Sequence, residues 1–238
     1  TIYHAPAHGI SLQIGDAGYL TKRLGLPVVH QFRQQDLAHS GQGAPLAPIY
    51  HQALIQAMGI ELPGAVVNIG GISNASIWDG DNLIGLDLGP GNALMDELAQ
   101  QHLAAPYDVN GALAGQGRAD MALVKAAMDH EFFAVKGPKS LDRGGLHDIV
   151  PMAALAALTP ADQMASYLAI TAASIVRGIR LNAPDVTAIV ICGGGSFNPV
   201  LMAAIKAHAA PMRVSRMDDF MLDGLALGFL FFKHVLCL

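Results

Sequence analysis

Apolar and polar positions change rhythm along this chain, and the change separates strands from helices. The clearest strand signal is Ala65-Val-Val-Asn-Ile-Gly-Gly-Ile-Ser-Asn-Ala-Ser-Ile-Trp78, then Asp79-Gly-Asp-Asn82, then Leu83-Ile-Gly-Leu-Asp-Leu-Gly-Pro-Gly-Asn92. Apolar, β-branched segments divided by Asp, Gly and Asn turns predict consecutive antiparallel strands. Val186-Thr-Ala-Ile-Val-Ile-Cys192 is nearly all apolar, as a strand covered on both faces would be. Shorter strands are expected at Ser11–Ile14 and Pro27–Phe32.

Helical spacing appears elsewhere. Ala17 to Leu24 allows a brief helix, and Pro45 opens one with Leu46, Ile49, Ala53, Leu54 and Ala57, closed by Gly59. Asn92 can cap a helix carrying Leu94, Met95 and Leu98, and Ala119 to Asp129 reads as another. Thr159 is an N-cap, Pro160 takes the first helical position, and Met164, Leu168, Ile175 and Ile179 share one face of a long helix. Pro199 starts a helix with Leu201, Met202 and Ile205 immediately after Gly193-Gly-Gly-Ser-Phe-Asn198. That strand, glycine turn and helix start would present free N–H groups and the positive end of a dipole. Gly137 to Gly145 reads as a loop.

Composition narrows the class. The 238 residues are 52% hydrophobic and 14% charged, which fits a globular chain with a sizeable core. A net charge of −5 argues against a nucleic-acid partner held by a basic surface. Cys192 and Cys237 make no metal motif, and a reducing cytoplasm is the default expectation. The opening residues lack the basic start and apolar middle of a signal peptide. Phe220 to Leu238 is apolar but carries Asp223, Lys233 and His234, so a buried C-terminal helix is expected rather than a membrane span.

Three polar, glycine-bearing loops remain for chemistry: 33–44, 68–74 with 89–92, and 193–198. Glycine lets backbone amides approach a ligand, although such turns also occur simply to meet backbone requirements. Gly193-Gly-Gly195 lacks the later glycine of a dinucleotide fingerprint, and Gly137-Pro-Lys-Ser140 lacks the upstream glycine of a Walker A loop. No Gly-x-Ser-x-Gly elbow is present, and Pro6 between His4 and His8 prevents a helical metal pair, so no metal site is expected. Asp36 lies between Arg33 and a glycine-rich bend, where it could take a proton; it could equally cap a helix or pair with Arg33.

Taken together, Leu12-Gln-Ile-Gly-Asp16, Phe32-Arg-Gln-Gln-Asp36, Gly41-Gln-Gly-Ala-Pro-Leu46, Asn68-Ile-Gly-Gly-Ile-Ser-Asn74, Asp87-Leu-Gly-Pro-Gly-Asn92, Tyr107-Asp-Val-Asn-Gly111, Pro138-Lys-Ser140 and Gly193-Gly-Gly195 resemble the anhydro-N-acetylmuramic acid kinase family, in the family's order. The resemblance implies the actin-like ATPase fold of the sugar kinase, Hsp70 and actin superfamily, with two α/β domains around an ATP cleft. It implies a reaction with ATP and Mg²⁺ that opens the 1,6-anhydro bridge of anhydroMurNAc and makes MurNAc 6-phosphate in peptidoglycan recycling. Asp36 would then activate the attacking water. Asn68, Gly70, Gly71, Ser73 and Asn74 would form a phosphate-binding hairpin, and Gly193, Gly194, Gly195 and Asn198 the adenosine-side loop. Arg33, Gln42, Gly89, Gly91 and Asn92 are the candidates for the sugar. The protein would be a cytoplasmic homodimer with no membrane partner.

Residues 1–62 would be the remainder of domain I with the catalytic loop, 63–219 the nucleotide-binding domain II, and 220–238 a helix packing back toward domain I. The family's Gly-Thr-Ser-x-Asp-Gly phosphate loop has no counterpart, so the resemblance places Thr1 partway through an incomplete first domain. The family's Lys-Ser-Thr-Gly-Arg-Glu appears as Lys139-Ser-Leu-Asp-Arg-Gly144, and its Glu-Ala as Asp223-Gly224. These departures also admit a rival: a non-catalytic actin-like module that binds ATP or sugar.

Overall fold

A computed structural model describes residues 2–44, 46–141 and 143–220. The chain begins with a small hairpin, Tyr3–Ala5 (β1) against Ile10–Leu12 (β2), paired antiparallel. Asp16 then caps Ala17–Leu24 (α1), accepting from the Tyr19 amide at 2.9 Å. No strand forms at 27–32: the stretch has no partner to complete a ladder, and Gln31 sits at φ 54°, which breaks an extended run. Instead the chain turns into a short helix, Gln34–Ala38 (α2), tied to the hairpin by Gln34 Nε2 donating to the Ser11 carbonyl at 3.1 Å.

Pro48–Ala57 (α3) starts three residues later than expected, with Pro48 at its first turn; Pro45 lies outside the described residues. The meander follows as expected: Gly64–Ile69 (β3), Ile72–Trp78 (β4) and Leu83–Pro90 (β5). The next helices are Ala93–Leu103 (α4), Met121–Met128 (α5), Arg143–Ile149 (α6) and Met152–Ala156 (α7); α6 occupies part of what reads as a loop. Pro160–Asn182 (α8) is capped by Thr159 and, at 23 residues, runs about 34 Å. Ala188–Cys192 (β6), Pro199–Ala209 (α9) and Arg213–Arg216 (β7) complete the order. The C-terminal helix expected over 220–238, including Asp223-Gly224, lies outside the described residues beyond Phe220.

The five-stranded sheet has the order β5-β4-β3-β6-β7. β4 runs antiparallel to β3 and β5, whereas β6 is parallel to β3 and β7 parallel to β6. Alternation divides its side chains between two cores. Ala65, Val67, Ile69, Ala75, Ile77, Leu86, Leu88, Ile189 and Ile191 join Ile170, Ile175 and Ile179 of α8 and the apolar sides of α4 and α9. Val66, Trp78, Val190 and Cys192 point the other way, against Leu54 and Ile55 of α3 and Met217. β6 is therefore buried along its whole length, which accounts for its unbroken apolar sequence.

Candidate active site

The register lines up polar residues on the α3 side of the sheet. Asp87 pairs with Asn74, Asn74 with Asn68, and Asn68 with Cys192, so one row crosses β5, β4, β3 and β6. This row sits where β3 and β6 end and their glycine turns begin. Nearer the row's apolar side, buried His51 of α3 shares a 2.7 Å hydrogen bond with the Ser76 hydroxyl, and burial pushes its imidazole down to about 4.

The strand-end turns clasp one another. Gly91 and Ala93 amides donate to the Gly71 carbonyl at 3.0 and 3.1 Å, and the Asn92 amide to Gly70 at 2.7 Å. A Cβ at Gly91 would overlap the Gly70 carbonyl, so only glycine permits the approach. Asn92 stands at the start of α4 without a side-chain cap; its Nδ2 instead donates to the Ile69 carbonyl at 3.4 Å. Gly193, at φ 82°, passes so close to Asn68 Oδ1 that a Cβ would lie 2.5 Å away, and a Cβ at Gly195 would lie 3.0 Å from Asn92 Oδ1. The structure thus brings Asn68, Gly70, Gly71, Gly91, Asn92, Gly193, Gly194 and Gly195 together.

Three of the expected residues serve internal contacts. The buried Ser73 hydroxyl donates to the Gly89 and Pro90 carbonyls, and Gly89 faces Phe133 and Ser174 in the core. The turn after β6 is one turn of 3-10 helix, Gly194–Phe197, followed by Asn198. Asn198 Oδ1 accepts from the Val200 and Leu201 amides at 3.0 and 3.1 Å, so the α9 N–H groups expected to be free are satisfied. Lys139 is likewise occupied: its Nζ donates to the Phe132 and Val135 carbonyls and lies 4.1 Å from the Phe132 ring centre.

A second cluster forms around α2. Asp36 belongs to this helix rather than to a loop, and the residue is exposed. Its Oδ2 accepts from the Gly43 amide at 2.6 Å. The Gly41 amide donates to the Asp36 carbonyl at 2.8 Å, and a Cβ at Gly41 would strike the Asp36 carboxylate. Arg33 Nη1 donates to the Gly43 carbonyl at 2.7 Å. The bend 41–43 is therefore wrapped around Asp36 with both ends of Gly43 held. The alternatives of an Arg33 ion pair or an N-cap are not what this geometry contains.

Asp87 joins the two clusters, and sequence reasoning gave it no role. Its amide donates to the Lys139 carbonyl at 2.9 Å and its Oδ2 accepts from the Leu141 amide at 2.7 Å. Burial pushes its carboxyl up to about 6, opposed by the Leu141 hydrogen bond and by the charges of Lys139 and Arg33. Burial also lowers the Arg33 guanidinium, with Asp87 working against that shift. Ser140, between the two residues that Asp87 holds, donates from its hydroxyl to Gln42 Oε1 at 3.4 Å. An acid alternating with Leu86 and Leu88 in an apolar strand was the available signal.

The family model described as anhydro-N-acetylmuramic acid kinase matches residues 1–235. The chain belongs to that family. Curated anhydro-N-acetylmuramic acid kinases from Nitrobacter winogradskyi and Rhodopseudomonas palustris (strain BisB18) are 43% and 44% identical to it, each match covering 92% of this chain and 59% of the relative. One from Acidiphilium cryptum is 42% identical, over 97% of this chain and 64% of its own. The chain thus spans about three-fifths of the length of such relatives. Membership in the anhydro-N-acetylmuramic acid kinase family carries the actin-like α/β fold class, with which the mixed sheet agrees. A ROK family protein from Streptococcus pneumoniae TIGR4, solved in complex with sucrose, matches over 79% of this chain and 65% of its own at 14% identity and a TM-score of 0.33, too loose to add to the assignment.

Proposed function

We propose that the full-length protein is an ATP-dependent kinase that hydrolytically opens 1,6-anhydro-N-acetylmuramic acid and phosphorylates O6. Family membership supports the reaction, and the observation that carries it to this chain is the Asp36 carboxylate, held by the Gly43 amide on an exposed residue. Asp36 takes a proton from a water whose oxygen attacks the anomeric carbon. The bond from that carbon to O6 breaks, and O6 takes the γ-phosphoryl of ATP, leaving MurNAc 6-phosphate and ADP. Arg33 and Gln42 lie beside Asp36 and would contact the sugar.

The strand-end cluster fits a triphosphate chemically. Its polar groups are glycine backbone and the carboxamides of Asn68 and Asn92, which suit phosphate oxygens; Asn74 follows in the same row, next to the Asp87 carboxylate. A Cβ at Gly70 would meet nothing nearer than 3.7 Å and one at Gly194 nothing nearer than 3.6 Å, so the backbone is open there. Among the described residues no group of three or more His, Cys, Asp or Glu side chains could hold a metal. Mg²⁺ bound with the nucleotide would take phosphate oxygens and water, with at most one or two carboxylates, and would neutralise charge on the transferred group. Gly91 and Asn92 pack with these residues and serve the phosphate side through them. By family resemblance the reaction is cytoplasmic and the enzyme a homodimer.

The test is turnover of anhydroMurNAc and ATP by the full-length protein, followed as ADP release and as MurNAc 6-phosphate by mass spectrometry. Asp36→Asn is expected to cut kcat by roughly 10²–10⁴, the contribution typical of a general base. Calorimetric affinity for the sugar should change little. An Asp36→Asn protein that turns over normally, or a wild-type protein that phosphorylates no anhydrosugar, would sink the proposal.

A further inference from the structure

The contact between Ser140 and Gln42 joins two stretches 98 residues apart in sequence, and neither was expected to touch the other. Each end is held for its own reason. On one side, Asp87 fixes the 139–141 segment twice, through its amide to the Lys139 carbonyl and through Oδ2 to the Leu141 amide. Asp87 in turn is anchored by the ladder of β5 and by burial. On the other side, Gln42 lies between Gly41, packed against the Asp36 carboxylate, and Gly43, whose amide donates to it.

We propose that Ser140, presented by Asp87, is a positioning residue for the base: it steadies Gln42 and, through it, the 41–43 bend that orients the Asp36 carboxylate. The inference rests on the reading of Asp36 as the base. Ser140 itself touches no reacting atom, and its effect passes through the bend. At 3.4 Å the hydroxyl contact is long, so the bend is steadied rather than locked and can tighten when substrate arrives. A misaligned base lowers turnover more than it weakens substrate binding.

The experiment compares Ser140→Ala, Ser140→Thr and Asp87→Ala in the full-length protein. Loss of one hydrogen bond of this kind predicts a kcat lower by about 3- to 10-fold for Ser140→Ala, with KM for ATP unchanged and recovery of most activity by Ser140→Thr. Exchange of the Gly43 amide, measured by NMR without substrate, should accelerate in Ser140→Ala and in Asp87→Ala and return toward wild type in Ser140→Thr. Wild-type kcat with unaltered Gly43 exchange in Ser140→Ala would overturn the inference even if Asp36→Asn is inactive. An active Asp36→Asn would instead overturn the assignment of the base.

Discussion

At the scale of single residues, two buried titratable groups pull the stability in opposite directions. Asp87 has a folded value near 6 against an ordinary 3.8, so its contribution is fully present below about 3.8 and is lost as pH rises through 6. His51 is pushed the other way, from 6.5 to about 4, so its contribution is present above 6.5 and is lost as pH falls through 4. Between pH 4 and 6 the two slopes oppose each other, and the wild-type profile should be flatter than either alone. Asp87→Asn, which keeps an oxygen for the Leu141 amide, should gain stability relative to wild type as pH rises from 4 to 7, by up to about 3 kcal/mol. His51→Gln should remove the acid-side loss. Urea unfolding at a series of pH values measures both, and parallel profiles for Asp87→Asn and wild type would refute the assignment of the shift.

At the scale of elements, the clasp between the β3–β4 turn and the start of α4 depends on backbone meeting backbone. Gly91→Ala puts a Cβ into the Gly70 carbonyl with Ile72 and Gly71 backbone close behind, and backbone atoms have no rotamer to escape by. The expected cost is about 1–3 kcal/mol, with a rise in KM for ATP; an unchanged melting temperature would show that the clasp can open freely. The sequence made this region legible because its strands are short, alternating and separated by turn residues, each a local signal. Thr159-Pro160 and Asn198-Pro199 were legible for the same reason. The 27–32 stretch was not, because β-branched composition cannot reveal that no neighbouring strand is available. Asp36 was found by its pattern but placed in a loop, since five helical residues carry too little periodicity to read. Asp87, Ser140 and His51 owe their environments to strand register and long-range packing, which no local pattern encodes.

At the scale of the molecule, burial is uneven. More than half of the exposed large apolar side chains among the described residues lie between residues 2 and 29, including Ile14 at 78%, Leu24 at 60% and Leu26 at 61% exposure. None of these three belongs to either core. The triple variant Ile14→Thr, Leu24→Lys, Leu26→Ser in this chain should bind less hydrophobic dye and self-associate less, while unfolding stability changes by less than about 0.5 kcal/mol. A large loss of stability would mean that the segment packs against the sheet. Among the described residues no helix is long and apolar enough to cross a membrane, and α8 takes its length from the core it lines.

The parallel pairing of β3 with β6 also has a bearing on how the protein is made. Its partners, such as Asn68 and Cys192, are separated by more than half of the chain, and helices α4 to α8 are synthesised between them. During translation the meander emerges before β6, with one edge of β3 bare, an apolar strand competent to pair with any other chain. Closing that edge requires β6, so the strand-end turns meet only after residue 193 has left the ribosome. Candidate nucleotide-binding residues that sit side by side in the folded protein are thus among the last to find each other, and the nascent chain is exposed to misassembly until they do.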